Sequence, residues 1–365
     1  MAGLFDSYTL KGVTLRNRIA VAPMCQYMAE DGVANDWHRV HYASLARGGA
    51  GLVIVEATAV SPEGRISWAD LGLWNDQQAE ALKQVAAEIR AGGAVPGIQI
   101  GHAGRKASSN RPWEGDDHIP LGQPHSWETI APSPIAFGGG LNRVPREMTI
   151  EDIRRVQQAT VKSVERAREA GFEWLQLHFA HGYLAQNFFS PFSNQRTDEY
   201  GGSAENRARY LFETLQAVRA VWPQDRPLDV RLSVIEYAGD DEAMMQEAIA
   251  LLRRMKNEGL DFVDVSVGFN TPQAKIPWGS NFLVPTAEKV RRETGLPGST
   301  AWYLTREPKE ADALIREGKL DLVSYARPLL ENPHFPYELA KKLGVENAAW
   351  VTLPAPYAHW VARYR

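Results

Sequence analysis

Eight short apolar segments recur along the chain, at 19–22, 52–56, 95–100, 174–178, 228–233, 262–266, 297–301 and 320–325. Amphipathic stretches separate them, and most end at a glycine: Gly48, Gly92, Gly171, Gly259, Gly295 or Gly318. In the stretch 76–90, Ala79, Leu82, Val85 and Ile89 recur at helical spacing. Thr149 stands as an N-cap before 150–170, with acids in the first turn. Strands that alternate with helices form parallel sheets, and eight strands close a barrel. An open doubly wound sheet is the competing arrangement. It usually carries GxGxxG after its first strand, and this chain has none. The expectation is an α/β fold, an eight-stranded parallel (β/α)8 TIM barrel built as one domain over 1–365.

Two regions break the rhythm. YTLKGVTL (8–15) alternates about Lys11-Gly12 and reads as an N-terminal hairpin that closes the barrel floor. Residues 101–146 form a long excursion after the third strand, rich in Pro, Gly and Trp. Ordered loops of that length usually carry function, so it is expected to wall the barrel mouth.

Composition narrows the partners. The net charge is −4, with 40 basic and 44 acidic residues, so no polyanion partner is implied. No basic cluster is interleaved with aromatics, which argues against nucleic acid. No leader-like start and no apolar run of about 20 residues is present, so the expectation is a cytoplasmic protein with no membrane contact. The lone cysteine, Cys25, excludes an intramolecular disulfide and thiolate metal or iron–sulfur sites. Eleven tryptophans suggest a roomy aromatic-lined site.

In a β/α barrel the chemistry sits at the C-terminal ends of the strands. There the sequence places Pro23, Met24, Cys25 and Tyr27, then Ala57, Gln99 and His102. His178, His181 and Tyr183 follow at the fourth strand, then Arg231, Ser266, Trp302 and Arg327. Such a mouth suits a planar heteroaromatic ligand bearing a phosphate. The two histidines and the tyrosine suit binding a carbonyl oxygen and delivering a proton beside it. A guanidinium inside an apolar strand is costly unless paired, so Arg231 requires an anionic partner. Other features read as structural: His38 and His41 on a helix, and the run NQRTDEYGGSAENR, where Arg196, Asp198 and Arg207 tie loop to barrel. Two histidines are too few for a catalytic zinc, which needs three ligands. Glu56 and Glu236 are the carboxylates available, and no further histidine sits at strands five or six. A metal-dependent hydrolase is disfavoured, and no metal is expected.

LRNRI (15–19), APMCQY (22–27), HAGR (102–105), HFAHGYL (178–184) and SPFSNQRTDEYGGSAENR (190–207) together resemble the old yellow enzyme family of flavin-dependent ene-reductases. The resemblance runs end to end and points to the branch often called thermophilic-like. It implies non-covalent FMN at the barrel mouth, reduced by NADPH or NADH. Pro23, Met24 and Cys25 would then line the isoalloxazine, with Ala57 beside it, Gln99 on the pyrimidine edge and Arg231 at the N1/O2 edge. Arg327 and the backbone around Ala301, Trp302, Tyr303 and Ala326 would hold the phosphate. His178 and His181 would bond the oxygen of an α,β-unsaturated carbonyl or nitro substrate, and Tyr183 would protonate Cα. Tyr27 and Trp302 would shape the pocket. Trp360, in the tail LPAPYAHWVARYR, would reach a neighbouring subunit's site in a homodimer or homotetramer; a strap across its own barrel is the other reading. Relatives carry glycine where this chain has Tyr303 and Ala326. Backbone N–H groups do the gripping there, so a side chain is tolerated where φ stays negative. Another FMN barrel, of the dienoyl-CoA reductase kind, would need a downstream cysteine cluster that this chain lacks. A non-catalytic flavin-binding barrel is a third reading, separated by turnover with an enone.

Overall fold

The computed structural model describes residues 2–364, and a parallel eight-stranded sheet lies at its centre. Its strands are β1 (Ile19–Val21), β2 (Leu52–Ala59), β3 (Val95–Gly101), β4 (Trp174–Phe179), β5 (Leu228–Ile235), β6 (Phe262–Val267), β7 (Gly298–Thr300) and β8 (Val323–Tyr325). They pair in the order β7-β6-β5-β4-β3-β2-β1-β8, so every strand but the last neighbours its predecessor. The two end strands meet through Asp321, whose N–H donates to the Gly298 carbonyl while its carboxylate accepts from the Gly298 N–H, both at 2.9 Å. The sheet is thus a nearly closed (β/α)8 barrel.

The intervening helices are α1 (Asp36–Arg47), α2 (Asp76–Ala91), α3 (Ile150–Glu169), α4 (Ala204–Val221), α5 (Asp241–Asn257), α6 (Val284–Thr294) and α7 (Pro308–Arg316). Asn35, Asn75 and Thr149 start the first three with reciprocal capping boxes, which satisfy otherwise orphaned N–H groups. Leu82, Val85 and Ile89 of α2 are fully buried, as their spacing predicts, while Ala79 lies at the margin. The main core fills the layer between helices and strands.

The predicted hairpin is present, with Tyr8–Leu10 antiparallel to Val13–Leu15. Lys11 takes a positive φ at its tip, and the Gly12 N–H donates to the Asp225 carbonyl. Tyr8, Val13 and Leu15 pack on Ala20, Leu52, Trp174 and Phe262, near the starts of four barrel strands. Those contacts plug the floor and leave the opposite end for a ligand.

Strand β2 continues past Glu56 to Ala59, with a register irregularity between Val55 and Thr58. The carboxylate is tolerated inside the strand because Tyr42 Oη and the Gln26 N–H both donate to it. After β8 the chain adds short helices at Arg327–Glu331, Phe335–Leu343, Ala348–Thr352 and Ala355–Val361, which the strand–helix rhythm does not signal. The excursion is ordered: Ile130–Ala131 pairs with Arg146–Glu147. Arg196 Nη1 donates to the carbonyls of Pro132 and Met148. The NQRTDEYGG loop is therefore tied to the excursion, while Arg207 ties α4 to Phe189 and Glu247. No described helix is long and apolar enough to cross a membrane.

Candidate active site

Two interior layers of polar side chains follow from strand register. Gln99, Gln176 and Asp229 are cross-strand neighbours on β3, β4 and β5. Gln99 Nε2 donates to Gln176 Oε1 (2.7 Å), and Gln176 Nε2 donates to Asp229 Oδ2 (2.6 Å). One layer higher, His178, Arg231 and Asp264 are in register across β4, β5 and β6. The anionic partner that Arg231 requires is Asp264, with Nε 3.2 Å from Oδ2. That ion pair is oblique, and Arg231 Nε has no aligned hydrogen-bond acceptor.

Beyond β4 the chain turns sharply, because His181 and Gly182 both take positive φ, 61° and 69°. A Cβ at Gly182 would lie 2.1 Å from the Phe269 carbonyl oxygen, so only glycine fits there. Gln186 Oε1 accepts from the Gly182 N–H (2.7 Å) and Ser233 Oγ accepts from the His181 N–H (3.1 Å). This turn gathers the three residues singled out in the sequence. Ring centroids are 5.0 Å apart for His178 and His181, 5.0 Å for His178 and Tyr183, and 6.4 Å for His181 and Tyr183.

Burial pushes both histidines well below their usual pKa, and the Arg231 cation adds to the shift. Each is a neutral imidazole at pH 7, with one N–H to give. Burial drives the Tyr183 hydroxyl well above its usual pKa, so it is a protonated phenol throughout the neutral range. Neutral donors and a retained proton suit an acceptor oxygen that gains negative charge during reaction.

The loop after β1 carries Pro23, Met24, Cys25 and Tyr27. Its Gln26 N–H donates to Glu56 Oε1 (3.0 Å), and Tyr42 Oη donates to the other carboxylate oxygen (2.6 Å). Burial raises the Glu56 pKa to about 8. The Cys25 thiol lies against the Ala57 backbone and the Tyr27 hydroxyl, and burial raises its pKa too. It is a thiol at pH 7, not a thiolate nucleophile.

Ala301, Trp302, Tyr303, Ala326 and Arg327 line one cavity of about 410 Å³ at the ends of β7 and β8. Arg306 borders it as a second cation. Ala326 keeps φ at −115°. Tyr303 does not meet the same condition: its φ is +50°. The Asn281 N–H donates to its carbonyl (2.9 Å) and Trp278 packs on its ring (5.5 Å), which hold it there. Arg327 Nη1 donates to the Tyr303 hydroxyl at 3.2 Å. Trp360 stands apart, 72% exposed on the last helix, touching the His359 ring. The helix that carries it packs on its own chain through Ala358, against Ala349 and Leu353.

The residues fit a flavin. A buried guanidinium without an aligned acceptor, an amide pair at Gln99 and Gln176, and a cavity bordered by Arg306 and Arg327 all lie toward one barrel mouth. Among the described residues no group of three or more His, Cys, Asp or Glu side chains could hold a metal ion. Several contributors escape the motif reading. Lys106 Nζ donates to the carbonyls of His181 and Phe269, and burial lowers its pKa to about 7. It follows HAGR directly, in a turn at the end of β3, and that position was its signal. Phe269 and Trp278 pack with Trp302 as a wall beside His181, which no spacing pattern reveals.

The sequence model of the NADH:flavin oxidoreductase / NADH oxidase family matches residues 3–346. An NADPH dehydrogenase from Geobacillus sp. (strain WCH70) is 44% identical over 350 residues, which are 95% of this chain and 96% of the relative. The solved old yellow enzyme homologue from Zymomonas mobilis superposes with a TM-score of 0.79 at 28% identity, covering 98% of this chain and 99% of that one. A 2-naphthoyl-CoA reductase superposes with a TM-score of 0.82 at 25% identity, covering 93% of this chain. The chain spans about half the length of that reductase, 52%.

Proposed function

The chain belongs to the NADH:flavin oxidoreductase / NADH oxidase family, and from that premise we propose that it reduces the activated C=C bond of α,β-unsaturated carbonyl compounds, with nitro compounds as a second acceptor class. It is an old yellow enzyme-type oxidoreductase that uses FMN and a nicotinamide reductant, NADPH in its curated relatives' names. The observation that carries the acceptor class is the joining of two neutral imidazoles to one protonated phenol within 6.4 Å, at the catalytic face of the barrel.

FMN, when bound, supplies the hydride chemistry between nicotinamide and acceptor. Pro23, Met24, Cys25 and Ala57 would line it, Gln99 and Arg231 would bond its polar edge, and Arg327 would hold its phosphate among Ala301, Trp302, Tyr303 and Ala326. Arg231 favours negative charge on that edge. His178 and His181 donate to the acceptor's oxygen and stabilise the charge that builds there. Tyr183 gives its proton to Cα. Tyr27 and Trp302 bound the space beside them, and the aromatic wall keeps water from the reacting carbon. Residues 1–365 would act as one FMN-binding unit in a homo-oligomer, with exposed Trp360 reaching a neighbour's mouth.

The test is direct. Purified protein should be yellow, bleach anaerobically with NADPH, and recover its colour when 2-cyclohexenone is added. Bleaching without recovery on any enone or nitroalkene would remove the acceptor class and leave the family assignment intact.

A further inference from the structure

Ser266 lies near the end of β6, fully buried, and its hydroxyl is where two ring nitrogens converge. Trp302 Nε1 lies 2.9 Å from Oγ, and His181 Nε2 lies 2.7 Å from it. An indole N–H can only donate, so Ser266 Oγ is an acceptor toward Trp302. The hydroxyl still has one proton of its own to place. His181 Nε2 is the remaining ring nitrogen at bonding distance. Were Nε2 protonated, Oγ would accept twice and its own proton would be stranded in the interior, an arrangement native structures avoid.

We propose that Ser266 is a positioning residue that fixes the tautomer of His181: Trp302 donates to Ser266, Ser266 donates to His181 Nε2, and the imidazole proton is confined to Nδ1. The companion histidine is fixed the other way. The Ala180 N–H points at His178 Nδ1 (3.4 Å), which makes that atom an acceptor and leaves the proton on Nε2. The two rings stand at 88° to one another. Opposite tautomers let two perpendicular rings each offer one N–H, instead of one donor and one lone pair. An acceptor oxygen meeting a lone pair would be repelled. The backbone of His181 is pinned independently, by Ser233 Oγ at its N–H and Lys106 Nζ at its carbonyl. Ser266 therefore sets the proton's place on the ring, not the fold of the turn. Trp302 gains a second duty, as donor to Ser266, beside lining the pocket.

This inference rests on the reading that His181 donates to the acceptor's oxygen, but its first test does not. In ¹⁵N-histidine-labelled holoenzyme, the long-range ¹H–¹⁵N pattern of His181, identified by its loss in His181→Gln, should show a protonated Nδ1 and an unprotonated Nε2. Ser266→Ala should shift that pattern to the Nε2-protonated form or a mixture, and Ser266→Thr, which keeps the hydroxyl, should restore it. Phenol affinity, read from the flavin's charge-transfer band, should fall roughly tenfold in Ser266→Ala, about 1.4 kcal/mol, and return in Ser266→Thr. A wild-type His181 protonated at Nε2, or an unchanged pattern in Ser266→Ala, overturns the proposal. A shifted pattern with unchanged phenol affinity upholds the tautomer lock and instead counts against His181 as an oxyanion donor.

Discussion

Replacing Tyr183 by Phe isolates the proposed proton donor more cleanly than any other change. The ring stays, so the edge-to-face contact with His178 at 5.0 Å is kept. The hydroxyl makes no hydrogen bond to protein among the described residues, so its removal strands no partner. The stability change should stay below about 1 kcal/mol, a shift of roughly 3 °C or less for a chain this size. The effect on chemistry should be much larger. A positioned general acid contributes roughly 10²- to 10⁴-fold, which is about 3–5 kcal/mol of barrier. Anaerobic stopped-flow absorbance separates the two half-reactions. Reoxidation of the flavin by 2-cyclohexenone should slow by roughly 10²- to 10⁴-fold, while its reduction by NADPH, which needs no proton from a tyrosine, should change by less than about threefold. Because burial holds the phenol well above its usual pKa, the wild-type enone step should also be flat with pH across the neutral range. Equal slowing of both half-reactions would refute the role, since it would mean that Tyr183 shapes the site for both partners instead of supplying a proton to one.

Asp264→Asn removes the carboxylate 3.2 Å from Arg231 and leaves that cation less compensated. The flavin's midpoint potential should rise by on the order of 30 mV, the equivalent of about 1.4 kcal/mol for two electrons; an equilibration titration against a dye that shows no rise, or a fall, would sink the idea. Arg327→Ala should weaken FMN binding by roughly 10- to 100-fold, in line with the loss of a charged hydrogen bond, while riboflavin, which lacks the phosphate, should bind as before. Equal weakening of both flavins in fluorescence-quenching titrations would place Arg327 outside a phosphate grip. Trp360→Ala should leave the melting temperature unchanged, because the side chain is 72% exposed. It should raise the KM for enones severalfold in an oligomer whose mass light scattering measures. A monomeric protein with unaltered KM would argue that the tail serves no neighbouring site.

Much of the barrel was legible because its two signals are local. Helical spacing in 76–90 and the stops at Gly92, Gly171 and Gly259 need no tertiary information. The hairpin at 8–15 was equally local, a Lys-Gly turn between alternating residues. The sequence signal is silent where the partner is distant. The sequence ends the second strand at Glu56, where the apolar run stops. Glu56 continues the strand because Tyr42, fourteen residues earlier, donates to it. The helices after β8 escaped because they are short and led by prolines such as Pro328 and Pro336. Their apolar faces are too brief to show a period.

The site divides along the same line. His178, His181 and Tyr183 lie within six residues and were visible as a group. Asp264 was not, although the sequence demanded an anion for Arg231. In a parallel barrel, cross-strand neighbours are set by register, and His178, Arg231 and Asp264 lie in one row across three strands. No spacing rule connects residues separated by two crossover helices. Yet that row ties the chemistry together. Arg231 helps keep His178 and His181 neutral, and Asp264 offsets part of the charge that does so. Weakening Asp264 is therefore expected to act on the histidines and on the flavin edge proposed to face Arg231 at once. Tyr303 poses the converse case. Its identity was visible as a departure from glycine, but whether a side chain fits there depends on φ, which the surrounding loop decides. The loop holds φ at +50° through Asn281 and Trp278, a region costly for a tyrosine by roughly 1–2 kcal/mol. Arg327 bonding to its hydroxyl offsets part of that cost and positions the cation at the rim of the cavity proposed to take the phosphate. The position keeps the backbone shape a glycine would give and adds a ring that holds the arginine in place.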